Sequence, residues 1–327
     1  MSASGDLSPT DRAMLAQLHL ATILPVRFAR AAPAECDLAQ NEKMSTAVLL
    51  LSAPSSFARK GVVAAISQFL IAHNGSVLHC DDHLDSSRDL FLSRLEWDLD
   101  GFDIPISDFE HHFKPLVERY LINYHLALTD YRPKMAILVS AYDHCLADLL
   151  YRHDTGELRC DIVRIISNHT TAKRLADFYQ IPFHLLTNPY DKRESEQEML
   201  ELLGQEVDLI VLARYMQILG PEFVAQYLLR MINIHHSFLP AFVGAKPYHQ
   251  AFARGVKLIG ATSHYVTAGL DEGPIIEQDV VRISHRDTVE DMLYKGRDLE
   301  KVVLSRAVRW HLENRILVYQ NKTVVFV

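Results

Sequence analysis

The sequence lacks the short motifs that mark the common cofactor sites, and it is poor in cysteine. Its four cysteines are far apart and include no CxxC pair, so neither a zinc site nor a disulfide framework is indicated, and reduced thiols in a cytoplasmic protein are expected. No GxGxxG or GxxxxGKS/T stretch occurs, so no dinucleotide or P-loop site is signalled. No apolar run approaches the ~18 residues that a membrane helix needs, so no membrane association is expected.

An excess of basic residues is missing as well. The chain has 41 acidic and 33 basic residues and a formal net charge of −8, whereas nucleic-acid-binding domains usually carry a basic patch. A nucleic-acid partner is therefore not expected. The composition is that of a globular protein, 49% hydrophobic and 23% charged, and the 327 residues suffice for two domains of ~100–200 residues each.

The first 43 residues fit neither of these domains. A short apolar run, "LHLATILPV", follows Asp6 and Asp11, where a signal peptide would be basic. We expect residues 1–43 to form a poorly ordered extension, and we assign no function to them.

Residues 44–130 have the pattern of a small α/β domain. "TAVLLLS" predicts a buried strand, and the helical spacing after Gly61 ends at Asn74-Gly75. The strands "SVLHCDDHL" and "DLFLSRLEWDL", a helix over 105–121 and the strand "HLALTD" complete a β-α-β-β-α-β order. This order is that of the ferredoxin-like split βαβ unit. Residues 131–133, "YRP", are interpreted as a linker.

Short apolar strands alternate with helices in residues 134–327, as in "KMAILVS", "CDIVRIISN" and "VDLIVLA". The alternation predicts a doubly wound, Rossmann-like α/β domain with a mostly parallel sheet. Ligands of such sheets bind beyond the carboxyl ends of the strands. The end of the strand "RMINI" is therefore a candidate site.

The C-terminal part of this stretch predicts a long helix and a hairpin. Thr288 and Asp291 match a capping box, and the helix behind them is expected to be interrupted or softened at Gly296 and to run on to about residue 313. "ILVYQ" and "TVVFV" predict a closing hairpin that turns around Asn321-Lys322.

The segment "INIHHSFLP" places an amide and two imidazoles at the candidate strand end. Asn233 and His235 are two residues apart, so on an extended strand they share a face, while His236 points away. The pair suits acyl transfer or hydrolysis, because an amide N–H stabilises an oxyanion and an imidazole moves protons. Asp271, in the loop "GLDEGPII", can orient a histidine or activate a water. From the local pattern alone, ordinary polar residues at a strand end and in a turn are the commoner outcome.

Two other kinds of chemistry have less support. His235, His249, His264 and His285 are scattered without an HExxH motif, so no metal is expected, although carboxylate ligands stay open. Ser237 lacks the GxSxG elbow of a serine nucleophile, and a buried or capping serine is the commoner role.

Several stretches in a fixed order, "NIHHSFLP", "GATSHYV" and "LDEGPIIEQ", resemble the folate-dependent formyltransferase family, and "LARYMQIL" resembles its folate-binding segment. The resemblance covers roughly residues 44–327 and implies that Asn233, His235 and Asp271 are catalytic. It also implies a set of substrate-binding residues, namely Met216, Gln217, Ile218, Leu219, Thr262, His264, Ala268, Gly269, Leu270 and Gly273. The folate is then the substrate, and neither a cofactor nor a metal is implied.

Within the family, the resemblance is strongest to the branch that hydrolyses 10-formyltetrahydrofolate to tetrahydrofolate and formate, which supplies formate for purine biosynthesis. Members that formylate glycinamide ribonucleotide carry a Gly-rich loop for its phosphate. The stretch here, "SAYDHCL" from Ser140 to Leu146, has no glycine and contains Asp143. Water is therefore the expected acceptor. Formyl transfer to another amine and a catalytically silent folate or amino-acid sensor are the alternatives.

The resemblance also implies that residues 44–130 form an ACT-like regulatory domain. The family's Asp-Arg-Pro-Gly-like turn is replaced here by "APSSFARKG", which keeps only Gly61. Binding of an amino-acid effector, methionine or glycine, and a role in assembly alone therefore both stay open. By analogy with ACT domains, a homo-oligomer is expected.

Overall fold

The computed structural model describes residues 45–58, 61–240 and 247–327, and the chain divides into two compact units. The first unit comprises the residues up to Tyr131 together with Asn314–Val327, and the second comprises Arg132–Glu313. The expected extension 1–43 lies outside the described residues. No helix in the described ranges has the length and apolar character needed to cross a membrane.

The first unit is built on a four-stranded antiparallel sheet in the order β2-β3-β1-β4. A core that includes Trp97, Phe109 and Phe113 fills the space between one face of this sheet and its two longer helices. The β-α-β-β-α-β order agrees with the expectation for this part of the chain, with one added helical turn, α1. The elements are β1 (Thr46–Pro54), α1 (Ser55–Ala58), α2 (Val62–Ala72), β2 (Ser76–Asp85), β3 (Leu90–Asp98), a 3-10 turn (Ile106–Asp108), α3 (Phe109–Tyr120) and β4 (Asn123–Leu128).

A C-terminal hairpin, β12 (Ile316–Tyr319) and β13 (Lys322–Val325), covers the other face of the same sheet. Every residue of β1 is buried. Because side chains alternate along a strand, Val48 and Leu50 face away from α2 and α3 and need a second cover. Leu317 and Phe326 of the hairpin segment supply that cover.

This packing corrects the expected domain boundary at the C-terminus. Residues 134–327 were assigned to one domain, but 314–327 belong to the first unit, because their apolar side chains pack on its sheet. The hairpin also turns one residue earlier than expected. Tyr319 pairs with Lys322, so the turn is Gln320–Asn321, with Gln320 at a φ of 52°.

The second unit contains a seven-stranded sheet in the order β11-β10-β9-β8-β5-β6-β7. The five strands β5 to β9 are parallel, while β10 and β11 run antiparallel to their neighbours, which confirms the expected mostly parallel α/β sheet. The elements are β5 (Lys134–Val139), α4 (His144–Asp154), β6 (Asp161–Ser167), a 3-10 turn (Thr170–Ala172), α5 (Lys173–Phe178), β7 (Phe183–Leu185), α6 (Lys192–Leu203), β8 (Leu209–Ala213), α7 (Pro221–Gln226), β9 (Met231–His235), α8 (Pro247–Arg254), β10 (Leu258–Tyr265), β11 (Ile275–Arg282) and α9 (Val289–Leu312).

The long helix α9 begins as expected but is not interrupted. Thr288 caps it, and its hydroxyl accepts from the Asp291 backbone N–H while the Asp291 carboxylate accepts from the Thr288 N–H, which completes the capping box. The helix runs on to Leu312, close to the expected end at about residue 313, and it is not interrupted at Gly296. Tertiary packing overrides the low helix propensity of glycine here.

Helices cover both faces of the second sheet. α6 and α7 pack on Leu138, Ile210 and Leu212, so the alternating residues Ile137 and Val211, which are fully buried, face the opposite side. There α4 and α9 contact each other. The chain order reverses at β5, with β6 and β7 on one side and β8 and β9 on the other. A ligand crevice is therefore expected beyond the carboxyl ends of β5 and β8.

Candidate active site

Asn233 and His235 lie at the carboxyl end of β9, as expected. This strand pairs with β8 on one edge and β10 on the other, so its backbone is held on both sides. The two side chains share a face of the strand. His235 is only 7% exposed, and it is the last residue of the strand.

The loop between β10 and β11 carries Asp271 to His235. The Asp271 Oδ2 lies 3.1 Å from the His235 Nδ1. Two backbone features shape this loop. Asp271 has a left-handed φ of 55°, and Gly273 passes so close to Tyr265 that a Cβ would lie 1.7 Å from the Tyr265 carbonyl oxygen. Only glycine fits at 273, and that close approach positions the loop that carries the Asp271 carboxylate.

His264 stands between Asn233 and Asp271. Its Nε2 lies 3.2 Å from the Asn233 Nδ2 and 3.5 Å from the Asp271 Oδ1. Its Nδ1 lies 2.9 Å from the backbone carbonyl oxygen of Tyr265, which can only accept, so this nitrogen carries a hydrogen. The Nε2 therefore accepts from the Asn233 amide when the ring is neutral. Contacts join Asn233 to His264, His264 to Asp271 and Asp271 to His235, and these four residues are named here the catalytic ring.

The Asp271 carboxylate is the charged centre of the catalytic ring. The contacts with the His235 and His264 imidazoles hold the pKa of this carboxyl well below its usual range, against the effect of burial. A carboxylate facing the His235 Nδ1 favours a hydrogen on that nitrogen and leaves the Nε2 for a substrate. The Nε2 is buried and has no hydrogen-bond partner within the described ranges. It is the atom of His235 that a reacting group would meet.

Thr262, one of the expected substrate-binding residues, lies beside the catalytic ring and makes three structural hydrogen bonds. It is fully buried, and its hydroxyl donates to the Ser237 carbonyl oxygen at 2.9 Å. The same hydroxyl accepts from the Leu239 N–H at 3.0 Å and from the Gln278 amide at 2.9 Å. With these partners it fixes the turn that follows His236. Ser237 is buried in this turn, which agrees with the interpretation of a structural serine.

Residues 216–219, four of the expected substrate-binding residues, line a pocket of about 510 Å³. Met216 and Ile218 present apolar side chains that are 55% and 60% exposed. Gln217 is held in place, because its amide donates to the Pro189 carbonyl and accepts from the Tyr215 hydroxyl. Leu219 and residues of α6, among them Glu196, complete the wall. Apolar walls with a few fixed polar groups suit a flat heterocycle.

The remaining expected contacts lie in the loop that carries Asp271. Ala268 and Leu270 are exposed, Gly269 is half-buried and Gly273 is buried. None of the four belongs to the wall of the 510 Å³ pocket, so the structure places them with the catalytic carboxylate rather than with residues 216–219.

A second polar cluster surrounds Glu300 of α9, and sequence reasoning missed it. Glu300 is only 1% exposed. One of its oxygens accepts from the Tyr248 hydroxyl at 2.9 Å, and the other lies 2.8 Å from the His144 Nε2 and 3.4 Å from the Arg214 Nε. Burial raises the pKa of Glu300, but the hydrogen bond from His144 and the charge of Arg214 outweigh it, so the pKa lies below its ordinary value. These four residues are called the Glu300 cluster below.

His236 connects the Glu300 cluster to the catalytic ring. Its ring lies 5.2 Å from that of His235 and 6.2 Å from that of Tyr248, between ring centres. Burial, followed by the charge of Arg214, lowers the pKa of His236 to about 4. His236 points away from Asn233, as the alternation predicts, yet as a neutral packing partner it supports His235.

The Glu300 cluster also contains the one grouping of possible metal ligands found among the described residues, His144, Cys145 and Glu300. Arg214 lies against the same carboxylate, and burial holds the pKa of the Cys145 thiol well above its usual range. A neutral thiol and a neighbouring guanidinium both oppose a cation. We therefore interpret the grouping as part of a hydrogen-bonded network.

The glycine-free stretch Ser140–Leu146 begins at the end of β5 and enters α4. Its Asp143 carboxylate pairs with Arg174 at 3.0 Å. This ion pair offsets the negative charge of Asp143, so that charge no longer argues against phosphate binding. The absence of glycine still holds, and the backbone there cannot offer the close approach of a Gly-rich phosphate loop.

Sequence signals for the missed residues were faint. Glu300 interrupts an apolar face of α9, because Gly296, Val303, Leu304 and Ala307 share its helical face and are buried. No pattern in the sequence marked Arg214 as a candidate functional residue. Its left-handed φ of 62° would ordinarily predict glycine.

Comparison with known proteins agrees with this geometry. The family model described as "Formyl transferase" matches residues 133–308. A formyltetrahydrofolate deformylase of Synechocystis sp. is 53% identical over 283 residues, which cover 86% of this chain and 98% of that protein. One from Bacillus subtilis is 47% identical over 281 residues, 85% of this chain and 93% of that protein.

Solved structures are similar in the same way. The crystal structure of a formyltetrahydrofolate deformylase from Pseudomonas syringae pv. tomato matches with a TM-score of 0.83 at 46% identity, over 88% of this chain and 96% of that one. A glycinamide ribonucleotide transformylase from Symbiobacterium toebii matches with a TM-score of 0.57 at 29% identity, over 60% of this chain and 95% of that one.

Proposed function

The chain belongs to the formyltetrahydrofolate deformylases and hydrolyses 10-formyltetrahydrofolate to tetrahydrofolate and formate, and we propose that the catalytic ring carries out this reaction. The observation that supports the assignment most directly is the convergence of two donors and one carboxylate. The Asn233 amide, the His235 imidazole and the Asp271 carboxylate are linked through contacts of 3.1 to 3.5 Å.

The formyl group is an amide-like acyl group, so hydrolysis passes through a tetrahedral intermediate. The oxygen of a water molecule forms a bond to the formyl carbon, and the carbonyl oxygen becomes an oxyanion. The Asn233 Nδ2 donates to this oxyanion, and the His235 Nε2 donates to it once it has accepted a proton from the attacking water. Asp271 holds His235 through its Nδ1 and stabilises the imidazole when it is positively charged.

The second half of the reaction breaks the carbon–nitrogen bond. One proton of the attacking water moves to the leaving nitrogen by way of the coupled Asp271–His235 pair, and the electron pair of the broken bond stays on that nitrogen. The products are tetrahydrofolate and formic acid, which releases its proton as formate.

The pocket beside residues 216–219 is proposed to hold the pterin end of the folate. Its exposed Met216 and Ile218 side chains supply apolar surface, and the held amide of Gln217 supplies a polar edge. The loop Ala268–Gly273 is proposed to contact the pterin through its backbone.

No resident cofactor or metal is proposed, because the donors of the catalytic ring already supply oxyanion stabilisation and proton transfer. Formate from this reaction can feed purine synthesis. The β-α-β-β-α-β order of the first unit supports an ACT-like regulatory domain. Binding of methionine or glycine to it, and assembly into a homo-oligomer, are further proposals.

The test is a product analysis. Purified protein is mixed with 10-formyltetrahydrofolate, with and without glycinamide ribonucleotide, while formate and tetrahydrofolate are measured. Equal formate release in both reactions is expected. Release that depends on the ribonucleotide would point to formyl transfer, and tight folate binding without turnover would point to a sensor.

A further inference from the structure

We propose that Arg214 and Glu300 determine the acceptor specificity, by filling the crevice from which a larger nucleophile would reach the formyl carbon. The inference rests on the hydrolytic function proposed above. It explains why the catalytic ring transfers the formyl group to water and not to a larger acceptor.

The position of the Glu300 cluster is the first argument. His144 follows β5 and Arg214 follows β8, so both lie at the carboxyl ends of the two strands that flank the chain reversal. In doubly wound sheets this is where a ligand crevice opens. Here side chains from α8 and α9 meet His144 and Arg214 in that space, and the shared carboxylate is only 1% exposed.

The Glu300 cluster and the pterin pocket lie on opposite sides of the sheet. The pterin pocket is walled by α6 and the segment 215–219, on the face packed by α6 and α7. Glu300 and His144 belong to α9 and α4, which contact each other over the opposite face. The catalytic ring lies at the strand end between them. A folate in the pocket therefore leaves the Glu300 side as the approach for the acceptor.

The packing of the Glu300 cluster involves two unfavourable backbone features. Arg214 keeps a left-handed backbone with a φ of 62°, which is strained for a residue other than glycine. A Cβ at Gly296 would lie 2.0 Å from the Tyr248 hydroxyl, so glycine at this helical position makes room for that hydroxyl to reach Glu300. A strained arginine and a helical glycine both lower stability, and both serve to close the same space.

The contact through His236 places the cluster next to the reacting atoms. The His236 ring packs on both His235 and Tyr248, so the filled space begins one side chain away from the catalytic imidazole. A water needs no more than a gap there, whereas a primary amine with its substituents needs the volume that Arg214 and Glu300 occupy. Discrimination by built-in steric exclusion is a general route to specificity.

The experiment measures how the formyl group partitions between water and an amine. Each enzyme is given 10-formyltetrahydrofolate with excess glycinamide, a primary amine, and formate and N-formylglycinamide are quantified against an enzyme-free reaction. The opening variant is Arg214→Gly, because glycine suits the φ of 62° and removes the whole side chain. Wild type is expected to release formate only. Arg214→Gly is expected to form N-formylglycinamide at about tenfold or more above the enzyme-free rate.

Two controls separate volume from charge and from general damage. Glu300→Gln keeps the size of the side chain and is expected to keep the wild-type ratio even if turnover falls. Arg174→Gly removes an exposed arginine that pairs with Asp143, the residue before α4. This variant is also expected to keep the wild-type ratio.

The outcomes are distinct. Wild type that formylates glycinamide above the enzyme-free rate, or a folded, folate-binding Arg214→Gly protein with the wild-type ratio, would overturn the inference. If Arg214→Gly does not fold, Glu300→Ala provides the same test, and if neither folds the wild-type arm decides. A wild type that releases no formate at all would overturn the proposed function instead, since the partition experiment presupposes turnover.

Discussion

Replacing Asp271 by asparagine is the sharpest test of the catalytic ring. The substitution keeps the size of the side chain and removes its charge 3.1 Å from the His235 Nδ1. Two unit charges at that separation attract by about 5 kcal/mol at an effective dielectric constant of ~20. At about 1.4 kcal/mol for each factor of ten, this amounts to about 10⁴ in rate when His235 is positively charged in the transition state.

That figure is an upper limit, because an asparagine can still offer its oxygen to the His235 Nδ1–H. We therefore expect Asp271→Asn to lower kcat by between about 10² and about 10⁴. KM should change little, since Asp271 does not belong to the pterin pocket. Steady-state formate release checks both values. Glu272→Gln is the matched control, because it removes the same charge one residue along the same loop, where the side chain is exposed.

The same variant has a second readout in stability. The pKa of Asp271 is depressed in the folded protein, against about 3.9 in an unfolded chain. Its contribution is therefore fully present above about pH 4 and is lost as the pH falls through the lower folded pKa. Urea unfolding between pH 7 and pH 3 should show a steeper acid loss for wild type than for Asp271→Asn. Near-normal turnover in Asp271→Asn would falsify the catalytic role.

Three further substitutions test separate parts of the structure. Asn233→Ala removes an oxyanion donor and should lower kcat by about 10²–10³ with little change in KM, which steady-state kinetics would show; unchanged kcat would contradict the assignment. Thr262→Val strips the hydroxyl from three hydrogen bonds and should lower the free energy of unfolding by about 1–3 kcal/mol, measured in urea, whereas Thr262→Ser should retain most of it. Leu317→Ala creates a cavity at a site only 1% exposed and should cost about 2–5 kcal/mol by the same method, with kcat near wild type; a loss below about 1 kcal/mol would argue against its role in the first unit's core.

Periodicity predicted much of the fold because its signals are local. The strands and the capping box could be read from short windows, and strand alternation correctly separated His236 from Asn233 and His235. Asp271 was different. Its loop made it a candidate, but a solvated turn has the same local pattern, so only the resemblance to a family motif favoured a catalytic role.

The features that sequence reasoning missed depend on contacts between distant segments. His144, Arg214, Tyr248 and Glu300 come from four different stretches, and no spacing connects them. Gly296 was misread for the same reason, since its lack of a side chain serves a tyrosine 48 positions away and not a break in the helix. The hairpin was predicted, but not which sheet it covers. Every residue of β1 is buried, so the second face of its sheet needs a cover, and the hairpin supplies that cover.

The return of residues 314–327 to the first unit has a consequence for how the protein can be made and cut. The second unit is inserted within the first, so a ribosome releases the whole of 132–313 before the hairpin that shields Val48 and Leu50 exists. During synthesis, one apolar face of the first unit's sheet therefore stays uncovered until the hairpin has been made. A fragment that stops at residue 131 would keep that face permanently bare and should aggregate, whereas 132–313 would carry the catalytic ring intact.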